Sequence, residues 1–463
     1  MKIFFVTSLL VFTSFLGYSQ ENNTIHHVLN VQINPKTSAI VVLDSVFITN
    51  VEELEFSLNE ALIPSYFSKN IKAEQIAADA SANDVGMDRD NDDEDDKGLK
   101  LNKWALKIKK ESGFFVIKYD GIIASPIEQS EENYQRGFSE SPGIISDLGI
   151  YLAGSTHWVP SFGEALVTFK LTTVLPEDWK VVTQGERIAE SVSNGKHSDT
   201  WLNKTPQEEV FLIGARFNEY SYTMNSGIEA MAFLRTPDES IANRYLEVTD
   251  QYMNMYQGLI GPYPYTKFAL VENFWETGYG MPSFTLLGEK IIRFPFILHS
   301  SYPHELLHNW WGNGVYVDFT TGNWCEGLTA YMADHLIKEQ RGQGEAYRRS
   351  TLQKFSNVVT KNNDFPLDKF ISRHDAPSEA IGYGKSLMMW HMLRRRLGDD
   401  YFKQTMVRFY KNHEFKVSSF DDIRMAADSV SNSDLQAFFT QWLTRTGAPE
   451  IAIKKVNVSK YNT

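Results

Sequence analysis

The hydrophobic periodicity of this 463-residue chain changes once, near residue 225, and that change sets the architecture it can adopt. Before it, apolar side chains alternate with polar ones or run in short β-branched and aromatic bursts, at 25–33, 40–49, 104–108, 114–119, 165–174, 180–183 and 210–213. A two-residue period is that of a strand with one buried face. Residues 111–113 (Glu-Ser-Gly) read as a hairpin turn between two of these strands. After the change, residues 240–259 form a long helical run. Gly261-Pro262-Tyr263-Pro264 punctuates it, and a strand-like stretch at 268–272 leads into Gly278-Tyr279-Gly280-Met281-Pro282. Helical runs then dominate, the last capped by Ser433 and closed by Gly447 and Pro449. The expectation is a multidomain α+β chain: a β domain over 20–224 and a mostly helical domain over 225–463.

Hydrophobic residues make up 42% of the chain, so both parts can bury a core and wholesale disorder is excluded. A net charge of -13 repels phosphate backbones and anionic lipid, which argues against nucleic-acid or membrane-surface partners. Part of the excess sits in an acidic insertion at 84–97. Its Asp88-x-Asp90-x-Asp92 start resembles a calcium loop, but Asp93 stands where Gly is needed and Leu99 where Glu is needed, so it reads as a solvated loop. Residues 1–19 read as a secretory signal peptide: Lys2, an apolar centre over 3–17, and a small-residue exit before Gln20. The mature chain is therefore expected to be exported, periplasmic or secreted, and without a membrane anchor. Cys325 is the single cysteine, so no intrachain disulfide can form.

His304-Glu305-Leu306-Leu307-His308 carries the most specific chemistry. Side chains four apart on a helix share a face, so both imidazoles can reach one metal ion, and Glu305 lies beside them within reach of a metal-bound water. A structural helix with satisfied histidines is the bland alternative. The third ligand decides the class. Metzincin spacing requires Gly and His where Trp311 and Gly314 stand, which excludes it. A glutamate on the next helix is the other common solution, and Glu326 lies in the first turn of the helix-like run from Asn323 to Tyr331. Two His and one carboxylate leave a fourth zinc position open, the catalytic arrangement; taken alone, Glu326 is equally a helix-start carboxylate favoured by the dipole. Cys325 points about 100° away on a helix and reads as packing. Asp334 either orients a ligand histidine or lies on a solvated face. The remaining histidines, His197 and His335 among them, lack partner spacing and read as structural or surface residues.

The run from His304 to Asn313, followed by Trp324-Cys325-Glu326-Gly327-Leu328-Thr329-Ala330-Tyr331, resembles the aminopeptidase N family of zinc peptidases (gluzincins). Gly382-Tyr383-Gly384-Lys385-Ser386 is similar to that family's Tyr-x-Lys-Gly segment, which carries a catalytic tyrosine. Trp158-Val159-Pro160, Gly261-Pro262-Tyr263-Pro264 and the stretch from Trp442 to Pro449 fall in the family's order. The chain also departs from the pattern. Only 17 residues separate His308 from Glu326, one fewer than usual, and Cys325 replaces an Asn. The G-x-M-E-N glutamate that holds a substrate's α-amine is replaced by Pro282. Near the position of a second amine-binding Gln or Glu stands Tyr151.

The resemblance implies a saddle-like N-terminal β-sheet domain and a thermolysin-like catalytic domain. It implies a shortened, bacterial-type member without the long C-terminal helical domain. The expected function is an exported zinc metallopeptidase acting on peptides or proteins, with one Zn2+ per chain on His304, His308 and Glu326. Glu305 is the expected general base, and Tyr383 the donor to the tetrahedral oxygen. Gly278, Tyr279, Gly280 and Met281 would accept an extended substrate as an added strand, and Glu272 or Glu276 could replace the missing amine clamp. Aminopeptidase activity is the first expectation; an endopeptidase and a catalytically silent peptide-binding protein are the rivals. Oligomeric state is not read from the sequence.

Overall fold

The alternating pattern of the first half folds into a seven-stranded sheet. Its order is Glu186–Ser193, Lys196–Gln207, Val167–Pro176, Ile25–Asn34, Ala39–Phe47, Phe114–Ile122 and Leu62–Phe67. The computed structural model describes residues 24–49, 51–81, 99–109, 112–125, 141, 143–447, 453 and 455–457; the signal-peptide and acidic-insertion readings and Pro449 lie outside them. Ile25–Asn34 pairs parallel with Val167–Pro176 and antiparallel with Ala39–Phe47. Its alternate residues Leu29, Val31 and Ile33 face a core shared with Val42, Phe115, Ile117, Phe169 and Trp201.

A three-stranded sheet of Glu53–Asn59, Lys100–Ile108 and Ile71–Ser81 packs onto this core. Glu111 of the expected 111–113 hairpin turn lies outside the described residues, and the strands on either side of it do not pair with each other. Lys100–Ile108 pairs with Glu53–Asn59 and Ile71–Ser81, whereas Phe114–Ile122 pairs with Ala39–Phe47 and Leu62–Phe67. The true partner Ile71–Ser81 reads IKAEQIAADAS, too rich in Ala and polar residues to announce a strand.

The second half is built on a five-stranded sheet ordered Asn218–Thr223, Glu229–Leu234, Lys267–Asn273, Phe284–Gly288 and Gly278–Met281. Asn218–Thr223 pairs residue for residue with Glu229–Leu234, so the sheet runs across the expected boundary at 224/225. What reads as a linker is a tight turn: Met224 N–H donates to Ile228 O, and Gly227 sits at φ +84°. Lys267–Asn273 is buried throughout between two parallel neighbours, as a central strand should be. The helix Glu239–Leu259 covers this sheet with Ile241, Tyr245, Met253 and Tyr256, capped by Asp238 Oδ1 accepting from Ile241 N–H. The same core continues through Trp310, Trp311, Trp324, Trp390 and Phe409 into the C-terminal helices. The last of these is Gln436–Thr444; Asp434, not Ser433, accepts from its first N–H. Among the described residues no helix is long and apolar enough to cross a membrane.

Candidate active site

His304 lies on the short helix Ser301–Leu307, and His308 continues its winding at φ -56°. Their ring centroids are 4.9 Å apart. In each ring Nδ1 has an acceptor. Asp334 Oδ2 lies 3.1 Å from His304 Nδ1, and Trp311 O lies 3.0 Å from His308 Nδ1. With Nδ1–H donating, each Nε2 presents a lone pair. Both point at Glu326 Oε2, at 3.5 Å and 3.7 Å. That oxygen is buried and has no hydrogen-bond partner. Tetrahedral zinc with ligands at about 2.0–2.1 Å separates them by roughly 3.3–3.4 Å, so donor types and spacing fit one zinc ion. No geometric adjustment is forced by the 17-residue connection. It folds as the strand Tyr316–Val317, which pairs with Val417–Ser418, and a single 3-10 turn, and Asn323 Oδ1 accepts from Cys325 N–H at the helix start.

Electrostatics agree. Burial disfavours a charged His304, but Asp334 and Glu326 outweigh it and hold its pKa well above the usual imidazole value. Burial likewise opposes ionisation of Glu326, yet His308 and His304 pull its pKa down to about 2. The donors thus form a site that demands positive charge. Cys325 is buried with Sγ 3.4 Å from His308 Nδ1, on the side away from the converging Nε2 atoms, as packing requires.

Glu305 faces the same cleft. Burial raises its pKa against the pull of His304 and His308, which suits a proton acceptor. A Cβ on Gly280 would stand 2.9 Å from Glu305 Oε2, so only glycine lets the Gly278–Met281 strand pass this close. The strand is held there by the zinc-motif segment. Asn313 Nδ2 donates to Gly280 O at 2.8 Å, and Asn309 Oδ1 accepts from Ser283 N–H at 2.7 Å. Gly278–Met281 is an edge strand of its sheet, and its residues Gly278, Tyr279 and Gly280 line the cleft.

Glu326 and Tyr383 sit on two continuous helices that each contain one π-helical turn: Tyr331–His335 after Cys325–Ala330, and Ala380–Lys385 after Ala376–Glu379. The helices approach closely because Gly327 has no Cβ; one would lie 2.0 Å from Ser386 Oγ. The two π turns carry Asp334 and Tyr383, and such turns often mark functional positions. The Tyr383 ring stacks at 6.3 Å from His304, and its hydroxyl hydrogen-bonds Glu326. The whole cleft has a volume of about 430 Å³.

Three sequence expectations are corrected here. Glu272 is not available as an amine clamp: it is 1% exposed, accepting from Arg235 N–H at 2.6 Å and Arg293 at 2.7 Å. Glu276 instead accepts from the Lys290 and Ile291 backbone N–H groups, tying down a turn. Neither lines the cleft. Met281 points into the core with Phe284 and Leu286, leaving three strand residues facing the cleft. Conversely, Asp334 takes the orienting role that the sequence left open, and Lys354, Arg373 and Glu379 line the cleft unannounced by any motif. Arg373 lies over the Tyr383 ring at 5.5 Å, and Lys354 pairs with Glu379 at 2.5 Å. Isolated charged residues carry no signal until the fold brings them together.

Residues 299–442 match the model of the peptidase family M1 domain. The chain is 21% identical over 377 residues to aminopeptidase 2, mitochondrial, from Saccharomyces cerevisiae, covering 76% of this chain and 40% of that protein. It is 19% identical over 364 residues to leucyl aminopeptidase from Saccharolobus solfataricus, covering 74% of this chain and 46% of that protein. The chain thus spans less than half the length of these relatives. Among solved structures, the M1 zinc metallopeptidase from Deinococcus radiodurans superposes with a TM-score of 0.67 at 16% identity, over 92% of this chain and 94% of that one. A form of that protein bound to a Tyr-Ser-Ala substrate superposes equally well.

Proposed function

Starting from a chain that belongs to the peptidase M1, or aminopeptidase N, family, we propose that it is a zinc aminopeptidase. The carrying observation is that His304, His308 and Glu326 converge at zinc spacing beside Glu305 and Tyr383 on one cleft. Zinc held by the three ligands supplies a Lewis acid and a water of lowered pKa. Glu305, buried and raised in pKa, takes the proton of the attacking water and returns it to the leaving amine. Tyr383 donates its hydroxyl to the oxygen on which charge develops. Asp334 and Trp311 O fix the ring orientation of the two histidines. The edge strand Gly278–Met281 offers backbone groups to an extended peptide, which supports a peptide substrate. The reading includes export of the chain, supported by the Lys2-led apolar segment at 1–19. Metal analysis of purified protein, paired with cleavage of a mixed peptide library, tests it. About one zinc per chain and stepwise loss of N-terminal residues are expected, and a metal-loaded protein that cleaves no peptide overturns it.

A further inference from the structure

The proposed chemistry leaves one part of the cleft unused, its basic end. Gly280 packs on Glu305 and His308, and His304 stands 4.9 Å from His308. Tyr383 then stands 6.3 Å from His304, and the Arg373 guanidinium lies 5.5 Å over the Tyr383 ring. Contacts thus lead from the edge strand, past the zinc ligands, to a cation. Lys354 joins it from another element. The helix Gly344–Val358 lines the cleft with Tyr347, Ser350, Thr351 and Lys354, a spacing that puts all four on one helical face. Thr351 packs against the turn that carries Tyr383, since a Cβ on Gly384 would stand 3.2 Å from its Cγ2. Lys354 follows about one turn later. Both cations meet the same acceptor: Lys354 Nζ lies 2.5 Å and Arg373 Nη1 3.9 Å from Glu379 Oε1. Two cations on one carboxylate carry a net charge of +1. The other acids that line the cleft, Glu305, Glu326 and Asp334, belong to the zinc group. A cleft polarised in this way favours a ligand that is negative at the basic end.

We propose that Lys354 and Arg373 bind a carboxylate of the substrate, two residues beyond the carbonyl held at the zinc site, and that Glu379 keeps the two cations in position. The assignment rests on the reading of the cleft as a peptidase site. Distance selects the residue. An extended chain advances about 3.3–3.6 Å per residue, so two residues carry it about 7 Å past that carbonyl. An ion pair spans up to about 4 Å more. That reach matches a guanidinium standing one ring beyond Tyr383, which is itself one ring beyond His304. Arginine offers a planar fork of donors to a carboxylate, and lysine adds a point charge. Two substrate groups present such a carboxylate: the chain terminus of a tripeptide, or an Asp or Glu side chain at the same place in a longer peptide. A Lys or Arg there would meet like charge and be rejected. The cleft then sorts peptides by the charge two residues past the bond it cuts.

Binding to protein that cannot turn over separates this subsite from catalysis. Zinc-loaded, full-length protein carrying Glu305→Gln is titrated calorimetrically with Ala-Phe-Ala, with its C-terminal amide, and with Ala-Phe-Asp amide. At least one of the two carboxylate-bearing peptides is expected to bind about three- to tenfold tighter than the plain amide, the range for a charge-assisted pair partly open to solvent. The advantage should shrink as salt rises from about 0.05 to 0.5 M. If the free acid alone gains, the ligand is the chain terminus; if the Asp amide alone gains, it is an acidic side chain. Adding Arg373→Gln, or separately Lys354→Gln, should erase most of the advantage while zinc content and thermal midpoint stay unchanged. Two variants guard against one failing to fold. Equal binding of all three peptides, or an advantage that survives both substitutions in folded protein, overturns the proposal. Cleavage of the same peptides by the unsubstituted chain is scored separately. A carboxylate advantage without any cleavage supports the subsite and removes the peptidase reading, whereas cleavage without the advantage keeps that reading and removes the subsite.

Discussion

Two triads of histidine and carboxylate in this molecule bring their ligand atoms within 4.8 Å of one another: His304, His308 and Glu326 in the cleft, and Glu190, His197 and Asp199 on the N-terminal sheet. By inventory they look alike. In the second, Arg187 stands 3.6 Å from Glu190 and 3.7 Å from Asp199, and Lys180 lies 3.4 Å from Glu190. Both cations also bind Glu219. The negative charge is already matched by side chains, and the cluster works as an ion network joining Glu186–Ser193 and Lys196–Gln207 to the Asn218–Thr223 strand. In the cleft, no Lys or Arg among the described residues pairs with Glu305, Glu326 or Asp334, and an unpartnered carboxylate oxygen faces two imidazole nitrogens. A metal site is therefore distinguished less by its donors than by the absence of an internal counter-charge.

Metal content separates the two triads most directly. His308→Ala should abolish zinc binding and activity together, because two remaining protein ligands hold zinc poorly. His197→Ala should keep about one zinc per chain. Zinc lost from His197→Ala, measured by elemental analysis, would put the ion on the wrong triad. Next in size, Glu305→Gln should retain zinc and lower turnover by about 10²–10⁴-fold, since the amide cannot take a proton. Tyr383→Phe should cost about 10²–10³-fold in kcat with little change in KM; a KM effect alone would make the tyrosine a binding residue. Asp334→Asn sharpens the picture of the cleft: zinc affinity, read by competition with a chelator, should fall about 10–100-fold.

The smallest effect belongs to Glu219, the carboxylate that shares Arg187 and Lys180 with the other triad. Burial tends to raise the pKa of Glu219, but hydrogen bonds from Arg187 and Lys180 outweigh it and leave the value below the ordinary 4.5. A carboxylate depressed on folding adds stability that is fully present above its unfolded pKa and is lost as pH falls through the folded one. Glu219→Gln should therefore destabilise by roughly 1–3 kcal/mol at neutral pH, with the difference from the parent shrinking below about pH 4. Thermal melts across that range would show it, and a difference independent of pH would deny the network its ionic character.

The zinc motif was legible because its information is local: a four-residue spacing on a helix fixes which side chains meet. The edge-strand glycines were legible for the same reason. The amine clamp was not. Glu272 and Glu276 are near Pro282 in sequence, but Glu272 is held by Arg293, 21 residues on, and Glu276 by backbone at 290–291. The β-rich half shows the same limit. Individual strands stood out by alternation, while partners did not: the 111–113 turn looked like a hairpin because its neighbours' true partners lay elsewhere in the chain. The change of periodicity near 225 located the helical part well and the sheet boundary less well, since the turn at 224–228 belongs inside the sheet.

The π turn at Tyr331–His335 has a consequence for how the site tolerates change. Glu326 and Asp334 are eight residues apart. At 3.6 residues per turn that spacing would leave them roughly 80° out of line. The wider turn underwinds the helix between them and brings Asp334 back toward the axis on which Glu326 faces His304. It behaves as a vernier: one surplus residue, absorbed locally, trims the angle between ligand and orienting carboxylate while the helix beyond keeps its packing. Deleting one of Tyr331, Met332 or Ala333 would leave a seven-residue spacing, about 20° short of two α-helical turns, so Asp334 should keep its hold on the His304 ring after the surplus residue is lost.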